Sequence, residues 1–431
     1  MNKSINKKVS FYNVIKTVSD SIDLMSEEIT GHHKLVAYIS LRIGKELELE
    51  NNQLRKLVFS SLIHDIGILY FDKKIDDILR NRTNEEHAYV GYALLEDYFP
   101  FKGYSDILKN HHKDWNQIEN NSINYLSNII NLADITAFII DGKESNILAN
   151  KNIIMEEVHS YCKNKINQNI IKSLEGLIKQ ESFWLDTVNN NIREKILEEY
   201  ICENLDIYLN LEQVLSISEI VSHIIDFRSP FTANHSKGVA TIASQIASDI
   251  GFSAENIKIM KIAGHFHDIG KMSWPLNIIN KPGQLSKSEW ALVKSHTYYS
   301  YYVLENIKEI PQLKEWAAYH HEAIDGSGYP FKLDAQKLSM GSKIMTAADI
   351  FTALGEDRPY RKGFGKEKII EILSNKAQNN KIESGITNLI IENFDRYNEL
   401  RNEEQIKTIN DYKLFKERTF DEIADIYYHY A

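Results

Sequence analysis

The chain has 431 residues, of which 43% are hydrophobic and 26% charged, and its formal net charge is -10. This length predicts about two to three domains with buried cores. The acidic balance provides no broad basic field for a nucleic-acid polymer, although a few local cations can still grip a small anionic ligand. Cys162 and Cys202 are the only cysteines. They exclude a disulfide framework and thiolate-rich zinc sites, so any metal chemistry must use histidine and carboxylate.

The start of the chain shows no targeting signal. Segment 1–8 is polar and is followed by no apolar signal-peptide core. No uninterrupted apolar run approaches the ~18–20 residues of a membrane span. We therefore expect a cytoplasmic protein that has neither a membrane nor a nucleic-acid polymer as its partner.

The N-terminal domain, predicted over residues 1–186, has helical periodicity. Leu35, Val36, Ile39 and Ile43 fall on one helical face, and no alternating strand pattern competes. The ligand-type side chains of this domain are Glu28, His32, His64, Asp65, His87, His111, His112 and Asp134. Residues 187–210 contain an asparagine-rich break and a charged stretch, which predict a helical linker.

The C-terminal domain, predicted over residues 211–431, repeats the helical pattern and ends in a charged helical tail. Its ligand-type side chains are His235, His267, Asp268, His296, His320, His321 and Asp349. The first three follow their N-terminal counterparts by 203 residues, the next three by 209, and Asp349 by 215. A whole ligand set is duplicated, and we predict an all-α fold of two tandem helical bundles.

Each change of spacing adds six residues to the C-terminal copy. The second addition contains a Gly-Tyr-Pro turn at 328–330, where Gly328 allows the backbone to approach a bound group closely. Insertions beside a constant ligand set predict that specificity differs between the copies while metal binding persists.

The residue types of the set indicate metal chemistry. Imidazole and carboxylate groups hold Mn or Fe, and one carboxylate can bridge two ions about 3.5–4 Å apart, as in two-metal hydrolases. The alternative is that buried histidines only satisfy hydrogen bonds of the core. That alternative is the stronger one for an isolated histidine, but it is weak for seven ligand-type residues that are repeated upstream.

Two motifs, Asp-Ile-Gly-Lys at 268–271 and His-His-Glu-x-x-Asp-Gly-x-Gly-Tyr-Pro at 320–330, carry a family resemblance. Together with the ordered ligands, they resemble the HD-GYP family of cyclic dinucleotide phosphodiesterases over roughly residues 211–397. The resemblance implies two HD-type bundles, of which the N-terminal one lacks the Gly-Tyr-Pro loop. It also implies that Asp268 bridges two divalent ions, Fe or Mn, and that the other C-terminal ligands complete their shells.

The same resemblance suggests how a substrate would be held. Lys271 lies one helical turn after Asp268, so it is placed to pair with a phosphate beside this catalytic carboxylate. Arg358 and Arg361 lie in an Arg-Pro-Tyr-Arg segment similar to the family's substrate-binding segment, and we expect them to grip phosphates or guanine edges. Tyr329 is expected either to shape the lip of the site or to pack.

Some positions depart from the family pattern. Phe231 replaces the glutamate that supplies a third ion in some members, and Ser229 and Thr352 stand where members often have aspartate. We therefore expect two ions in the C-terminal domain.

The N-terminal copy departs differently, because it has Glu28 at the third-ion position but Ile68 in place of Lys271. It also lacks the Gly-Tyr-Pro loop and the Arg-Pro-Tyr-Arg segment. We expect it to bind further metal ions and to act in regulation or sensing. The alternatives are a phosphohydrolase for another nucleotide and a structural metal domain.

The main functional prediction is hydrolysis of cyclic di-GMP to pGpG, and whether the reaction continues to GMP stays open at this point. The first alternative is a 3',3'-cyclic GMP-AMP phosphodiesterase, because tandem arrangements occur among such enzymes of the family. An alternative of another class is a cyclic-dinucleotide receptor with little turnover. Pairing into a homodimer through helical elements stays open at this point.

Overall fold

The computed structural model describes residues 7–26, 30–71, 85–98, 100–227, 234–279, 281, 283–357 and 362–427. The chain divides into two compact units, one formed by Ser10–Tyr208 and the other by Met1–Val9 with Leu209–Ala431. Helices dominate both, so the all-α prediction is confirmed. Among the described residues the only sheet is a pair of two-residue strands, β1 (Val9–Ser10) and β2 (Tyr208–Leu209).

The N-terminal unit contains ten described α-helices. They are α1 (Phe11–Asp23), α2 (His32–Glu46), α3 (Asn51–Leu62), α4 (Glu86–Leu95), α5 (Ser105–Lys109), α6 (Ser122–Ile140), α7 (Ile147–Cys162), α8 (Gln168–Leu177), α9 (Glu181–Val188) and α10 (Asn190–Asn204). Short 3-10 segments at Ile66–Tyr70, Trp115–Gln117 and Glu144–Asn146 connect some of them.

Helix α6 forms the centre of this unit. Its N-cap is Asn121, whose side chain accepts a hydrogen bond from Asn124 N at 2.9 Å, which satisfies an otherwise unpaired backbone donor. It is the one described helix whose length and composition would suit a membrane span, but 83% of its apolar window is buried within the protein. The helix therefore serves as core, and α2 and α3 pack against it.

Most of the segment predicted as a linker, residues 187–210, is helix α10. Arg193 on this helix is only 3% exposed. Its Nη1 donates to Thr187 O at 2.7 Å, and its Nη2 donates to Gly31 O at 3.3 Å. Helix α10 thus packs on the start of α2 and belongs to the N-terminal unit.

The C-terminal unit also contains ten described α-helices. They are α11 (Leu211–Phe227), α12 (His235–Asp249), α13 (Ala254–Phe266), α14 (Leu276–Ile279), α15 (Lys287–Leu304), α16 (Pro311–Ala318), α17 (Met340–Gly355), α18 (Lys366–Gln378), α19 (Ser384–Glu392) and α20 (Phe394–Tyr427). A 3-10 segment, Ile269–Ser273, follows α13.

Close packing of α12 on α13 positions the C-terminal site. A side chain at Gly264 of α13 would put its Cβ 2.4 Å from the Cα of Ala240, so only glycine permits this approach. The long helix α20 packs along α12, where Tyr397 donates to Asp249 at 2.5 Å and Arg396 donates to the same carboxylate at 2.7 Å. The first residue of α12 is His235. The packing of α12 on α13 and α20 therefore sets the position of one of the predicted ligands.

Candidate metal centres

The His64-Asp65 and His267-Asp268 pairs occupy equivalent positions, each between the end of an α-helix and the start of a 3-10 turn. In the C-terminal unit the turn contains Gly270, where a Cβ would lie 1.9 Å from His296 O. In the N-terminal unit a Cβ at Gly67 would lie 2.0 Å from His87 O. Because glycine allows this contact, the turn packs against the next helix and brings the third histidine of each set to the pair.

Asp268 lies between two groups of histidines in the C-terminal unit. Its Oδ2 is 3.0 Å from His267 Nε2 and 3.8 Å from His235 Nε2. Its Oδ1 is 3.4 Å from His296 Nε2 and 3.8 Å from His320 Nε2. The side chain is 2% exposed. One oxygen therefore faces each group, an arrangement that a bridging carboxylate requires.

The ring orientations of three histidines suit metal binding. Their Nδ1 atoms each lie 2.7 Å from a backbone carbonyl oxygen: His267 from Gly264, His296 from Val293, and His320 from Ala317. Such a bond places the proton on Nδ1 and leaves the Nε2 lone pair directed at the cluster.

Two of these Nε2 atoms, those of His296 and His320, lie only 3.3 Å apart. With both Nδ1 atoms donating, neither neutral ring has a proton to place between them, whereas a divalent cation accepts both lone pairs. Burial lowers the pKa of His320 well below its ordinary value, which keeps the ring neutral. The two Nε2 lone pairs therefore fit a metal ion as their common partner.

His235 is held from both sides. Its Nε2 lies 3.1 Å from Asp349 Oδ1, and its Nδ1 lies 2.9 Å from Glu356 Oε2. Glu356 is 5% exposed, and the sequence interpretation missed it. The available signal was nearness in the sequence: Glu356 follows Asp349 by seven residues and lies just after Gly355, the last residue of the helix that carries Asp349.

The acidic groups of this centre are held as anions. Burial opposes ionisation of Asp268, but its electrostatic interactions with His267 and Lys271 outweigh it and hold the pKa of the carboxyl well below its usual range. Burial likewise opposes ionisation of Asp349, and its hydrogen bond with His235 outweighs it and lowers its pKa. Both carboxylates are therefore available as ligands near neutral pH.

Lys271 lies at the mouth of the cluster. Its Nζ donates to Asp268 Oδ2, and it lies 5.4 Å from the ring centroid of Trp274. The side chain is 20% exposed, so it is within reach of a ligand that approaches the centre from solvent.

The Gly-Tyr-Pro loop is anchored by a buried carboxylate. Glu322 Oε1 accepts from Phe331 N at 2.7 Å, and Oε2 accepts from Leu333 N at 3.0 Å. A Cβ at Gly328 would lie 2.4 Å from Ala323 N, so glycine is needed for the chain to fold back on itself. The loop places the Tyr329 ring 5.0 Å from the His321 ring.

The N-terminal unit brings together, in the same way, those of its predicted ligands that the structure describes. Asp65 Oδ2 is 3.1 Å from His64 Nε2, and Asp65 Oδ1 is 3.3 Å from His87 Nε2 and 3.7 Å from His111 Nε2. His32 Nε2 lies 3.0 Å from Asp134 Oδ1. Among the described residues, three overlapping groups of His and Asp in this unit and two groups in the C-terminal unit could hold a metal ion.

Two further features of the N-terminal cluster agree with this assignment. His112 Nε2 lies 3.0 Å from His87 Nε2, and burial lowers the pKa of His112 well below its ordinary value. His33 also faces the cluster, although the sequence interpretation did not include it.

The two centres differ where a substrate would be held. Ile68, which corresponds to Lys271, is a buried apolar residue that is 4% exposed. The N-terminal centre therefore has no cation at this position.

Five residues on which the sequence interpretation relied lie outside the described residues: Glu28, Ser229, Phe231, Arg358 and Arg361.

Comparison with known proteins agrees with the duplicated site. Two family profiles, both described as HD domain, match residues 29–139 and 219–386. A 3'3'-cGAMP-specific phosphodiesterase of Vibrio cholerae is 24% identical over 409 residues, which cover 92% of this chain and 94% of the relative. A cyclic di-GMP phosphodiesterase of Pseudomonas aeruginosa is 33% identical over 141 residues, or 32% of this chain.

The fold also matches a solved structure. The crystal structure of a cyclic GMP-AMP-specific phosphodiesterase of V. cholerae superposes with a TM-score of 0.64 over 90% of this chain and 98% of that one, at 20% identity. The chain is therefore a protein of two tandem HD domains. It belongs with the HD-GYP family, which confirms the family predicted from the motifs and the additional N-terminal HD domain.

Proposed function

We propose that the protein is a phosphodiesterase that hydrolyses 3',3'-cyclic GMP-AMP in its C-terminal domain. The observation that carries this proposal is the tandem HD arrangement, which is matched over nearly its whole length by a relative with that specificity. This reverses the order of the sequence interpretation, which placed cyclic di-GMP first. The match to the P. aeruginosa cyclic di-GMP enzyme covers only a third of the chain.

We assign the chemistry to the C-terminal centre because Lys271 and the Gly-Tyr-Pro loop lie beside it, whereas the N-terminal centre has Ile68 in place of Lys271. We propose that it holds two divalent ions, Fe or Mn, with Asp268 as the bridge and the six other predicted ligands around it. Bound ions of this kind polarise a phosphodiester and activate water for attack. Burial lowers the pKa of His320 and of His321, so these two imidazoles are prepared to bind without first losing a proton.

The chain's own cations and aromatic rings then position the substrate. Lys271 is placed to pair with a phosphate oxygen when a substrate competes for its contact with Asp268. Tyr329 lies over His321, and the ring of Trp290 lies 6.4 Å from that of Tyr329. Trp290 is 47% exposed, so the rings lead outward from the metal ligands. A nucleobase can stack on such a surface.

Arg358 and Arg361 remain part of this proposal as phosphate or guanine contacts, on the strength of their motif. The expectation of a cytoplasmic protein, made from the sequence, also remains part of it.

A substrate panel tests the proposal. The full chain, loaded separately with Mn and Fe, is incubated with 3',3'-cyclic GMP-AMP, cyclic di-GMP and cyclic di-AMP, and the products are separated by chromatography. We expect the highest kcat/KM for 3',3'-cyclic GMP-AMP. A higher value for cyclic di-GMP would restore the first prediction. Tight binding of a cyclic dinucleotide without turnover under either metal would instead indicate a receptor.

A further inference from the structure

His33 is a buried histidine that has no counterpart in the C-terminal centre. It is 1% exposed, and it follows the ligand His32 at the start of α2. The corresponding residue of the C-terminal unit, 203 residues later, is Ser236. The two centres therefore differ by one imidazole at the same place in a repeated structure.

An aspartate orients the residue at this position in both units. In the C-terminal unit, Ser236 Oγ donates to Asp226 Oδ1 at 2.8 Å, and this short side chain ends there. In the N-terminal unit, His33 Nδ1 lies 3.1 Å from Asp23 Oδ1. The carboxylate holds the proton on Nδ1, and this leaves the lone pair of Nε2 directed away from Asp23.

The Nε2 atom of His33 is directed into the cluster. It lies 3.8 Å from Asp65 Oδ2, the same distance that separates His235 Nε2 from Asp268 Oδ2 in the other unit. The His33 ring is 5.2 Å from the His64 ring, centroid to centroid. This Nε2 is fully buried, and within the described part of the chain it has no hydrogen-bond partner. A buried acceptor without a partner is costly unless something occupies the space it faces.

We propose that His33 is an additional metal ligand of the N-terminal centre. With it, five side chains surround one position: His32, His33, His64, Asp65 and Asp134. The corresponding C-terminal set has four members: His235, His267, Asp268 and Asp349. A metal centre that performs hydrolysis keeps a coordination position open for water or substrate, whereas a structural centre is closed by protein ligands. His33 occupies one coordination position more than the C-terminal set does, so the N-terminal ion is held more firmly and has fewer positions left for water or substrate.

Manganese retention by the full chain tests this role without reference to any substrate. The C-terminal centre is first removed by His267→Ala with Asp268→Ala, so that the remaining manganese reports the N-terminal centre. His33→Asn is then introduced, because an asparagine amide can replace Nδ1 as donor to Asp23 but does not reach Asp65. We expect the variant to lose manganese to a chelator at least about tenfold faster, the lower end of the loss seen when a site's supporting groups are removed.

Two further variants keep the test decisive. His33→Gln, which retains a polar atom near the position of Nε2, should fall between the parent and His33→Asn. His159→Asn alters a half-exposed histidine of the same domain that pairs with Glu175, and it should retain manganese as the parent does. Equal retention in His33→Asn and His159→Asn would overturn the proposal.

Thermal unfolding separates a ligand from a packing residue. If His33 binds metal, His33→Asn should reduce the increase in Tm that manganese produces. If His33 only packs, the variant should lower the Tm of the metal-free and metal-loaded chains equally, and that result would also overturn the proposal.

Discussion

At the scale of single residues, the C-terminal centre depends on groups that do not touch a metal. Glu356 is the clearest of them, because it accepts from His235 Nδ1 and thereby fixes which nitrogen faces Asp349. Gln405 Nε2 donates to its other oxygen at 2.5 Å, so the carboxylate is itself held in place. Such outer carboxylates set the tautomer and orientation of a ligating imidazole.

The first residue-scale prediction concerns this contact. Glu356→Ala should weaken metal binding at the C-terminal centre by roughly 10–100-fold, because His235 loses the group that orients it. Glu356→Gln should restore most of the affinity, since its amide oxygen can still accept from Nδ1. Metal titration of the metal-free chain gives the affinities. If the alanine variant bound metal as tightly as the parent, Glu356 would have no positioning role.

The second residue-scale prediction concerns Trp290, at the rim of the C-terminal centre. Trp290→Ala should raise KM for the dinucleotide and leave kcat and metal content nearly unchanged, because the ring lies beside that of Tyr329 and, among the described residues, pairs with the ring of no predicted metal ligand. Loss of one stacked base is worth about 1–3 kcal/mol, or roughly 5- to 150-fold in KM. Steady-state kinetics measure it, with Trp115→Ala in the N-terminal unit as a control. A fall in kcat at constant KM would place Trp290 in the chemistry instead.

At the scale of elements, the repeat made most of both sites predictable. Ligands that recur at constant spacing imply a repeated backbone, and the two units bring them together as the offsets imply. Glu356 and His33 were not predicted. Glu356 lies outside the repeated set, and His33 is replaced by Ser236 in the other copy, so the comparison that identified the other ligands did not mark it.

Gly270 provides a prediction at this scale, because it lets the 3-10 turn of the His-Asp pair pack on helix α15. Gly270→Ala would place a Cβ within 1.9 Å of His296 O. We expect a loss of stability of about 1–3 kcal/mol, as in other overpacked sites, together with reduced metal content. Denaturant unfolding measures the change.

Gly385→Ala is the matched control for this variant. Gly385 lies on helix α19 with nothing within 4 Å of the added methyl group, so the substitution should stabilise the helix by about 0.5–1 kcal/mol. Equal effects of the two substitutions would show that the close approach at Gly270 is unimportant.

At the scale of the whole molecule, both centres should make the metal-free protein sensitive to acid. Burial lowers the pKa of His321 to about 3, and the pKa of His112 is also lowered. The unfolded chain, with a pKa of about 6.5, binds more protons than the folded chain between about pH 6.5 and 3, so acid favours unfolding there. Asp268, whose folded pKa is lowered, contributes stability that is lost as the pH falls through its own folded value.

The resulting prediction is that the unfolding free energy of the metal-free chain falls between about pH 7 and about pH 5. Urea unfolding at each pH measures it. An unchanged or higher unfolding free energy at the lower pH would mean that the buried imidazoles take up protons without cost in the folded state.

Substrate specificity was the least predictable property. The metal ligands follow from the chemistry of imidazole and carboxylate, but the choice between two cyclic dinucleotides depends on contacts to a base. The stacking surface that we propose for Tyr329 and Trp290 is flat and would accept any base, because stacking does not discriminate by hydrogen bonding. The order of the two candidate substrates therefore depends on the relative that matches this chain over nearly its whole length.

The assignment of hydrolysis to the C-terminal domain is tested most directly by kcat/KM for 3',3'-cyclic GMP-AMP in two double variants of the full chain. His267→Ala with Asp268→Ala should abolish hydrolysis, because the C-terminal centre loses its bridging carboxylate. His64→Ala with Asp65→Ala should leave hydrolysis intact apart from a change in rate, because Lys271 and the Gly-Tyr-Pro loop remain beside a complete set of ligands. Hydrolysis that survives the first pair of substitutions and is lost with the second would contradict the account and assign the chemistry to the N-terminal domain.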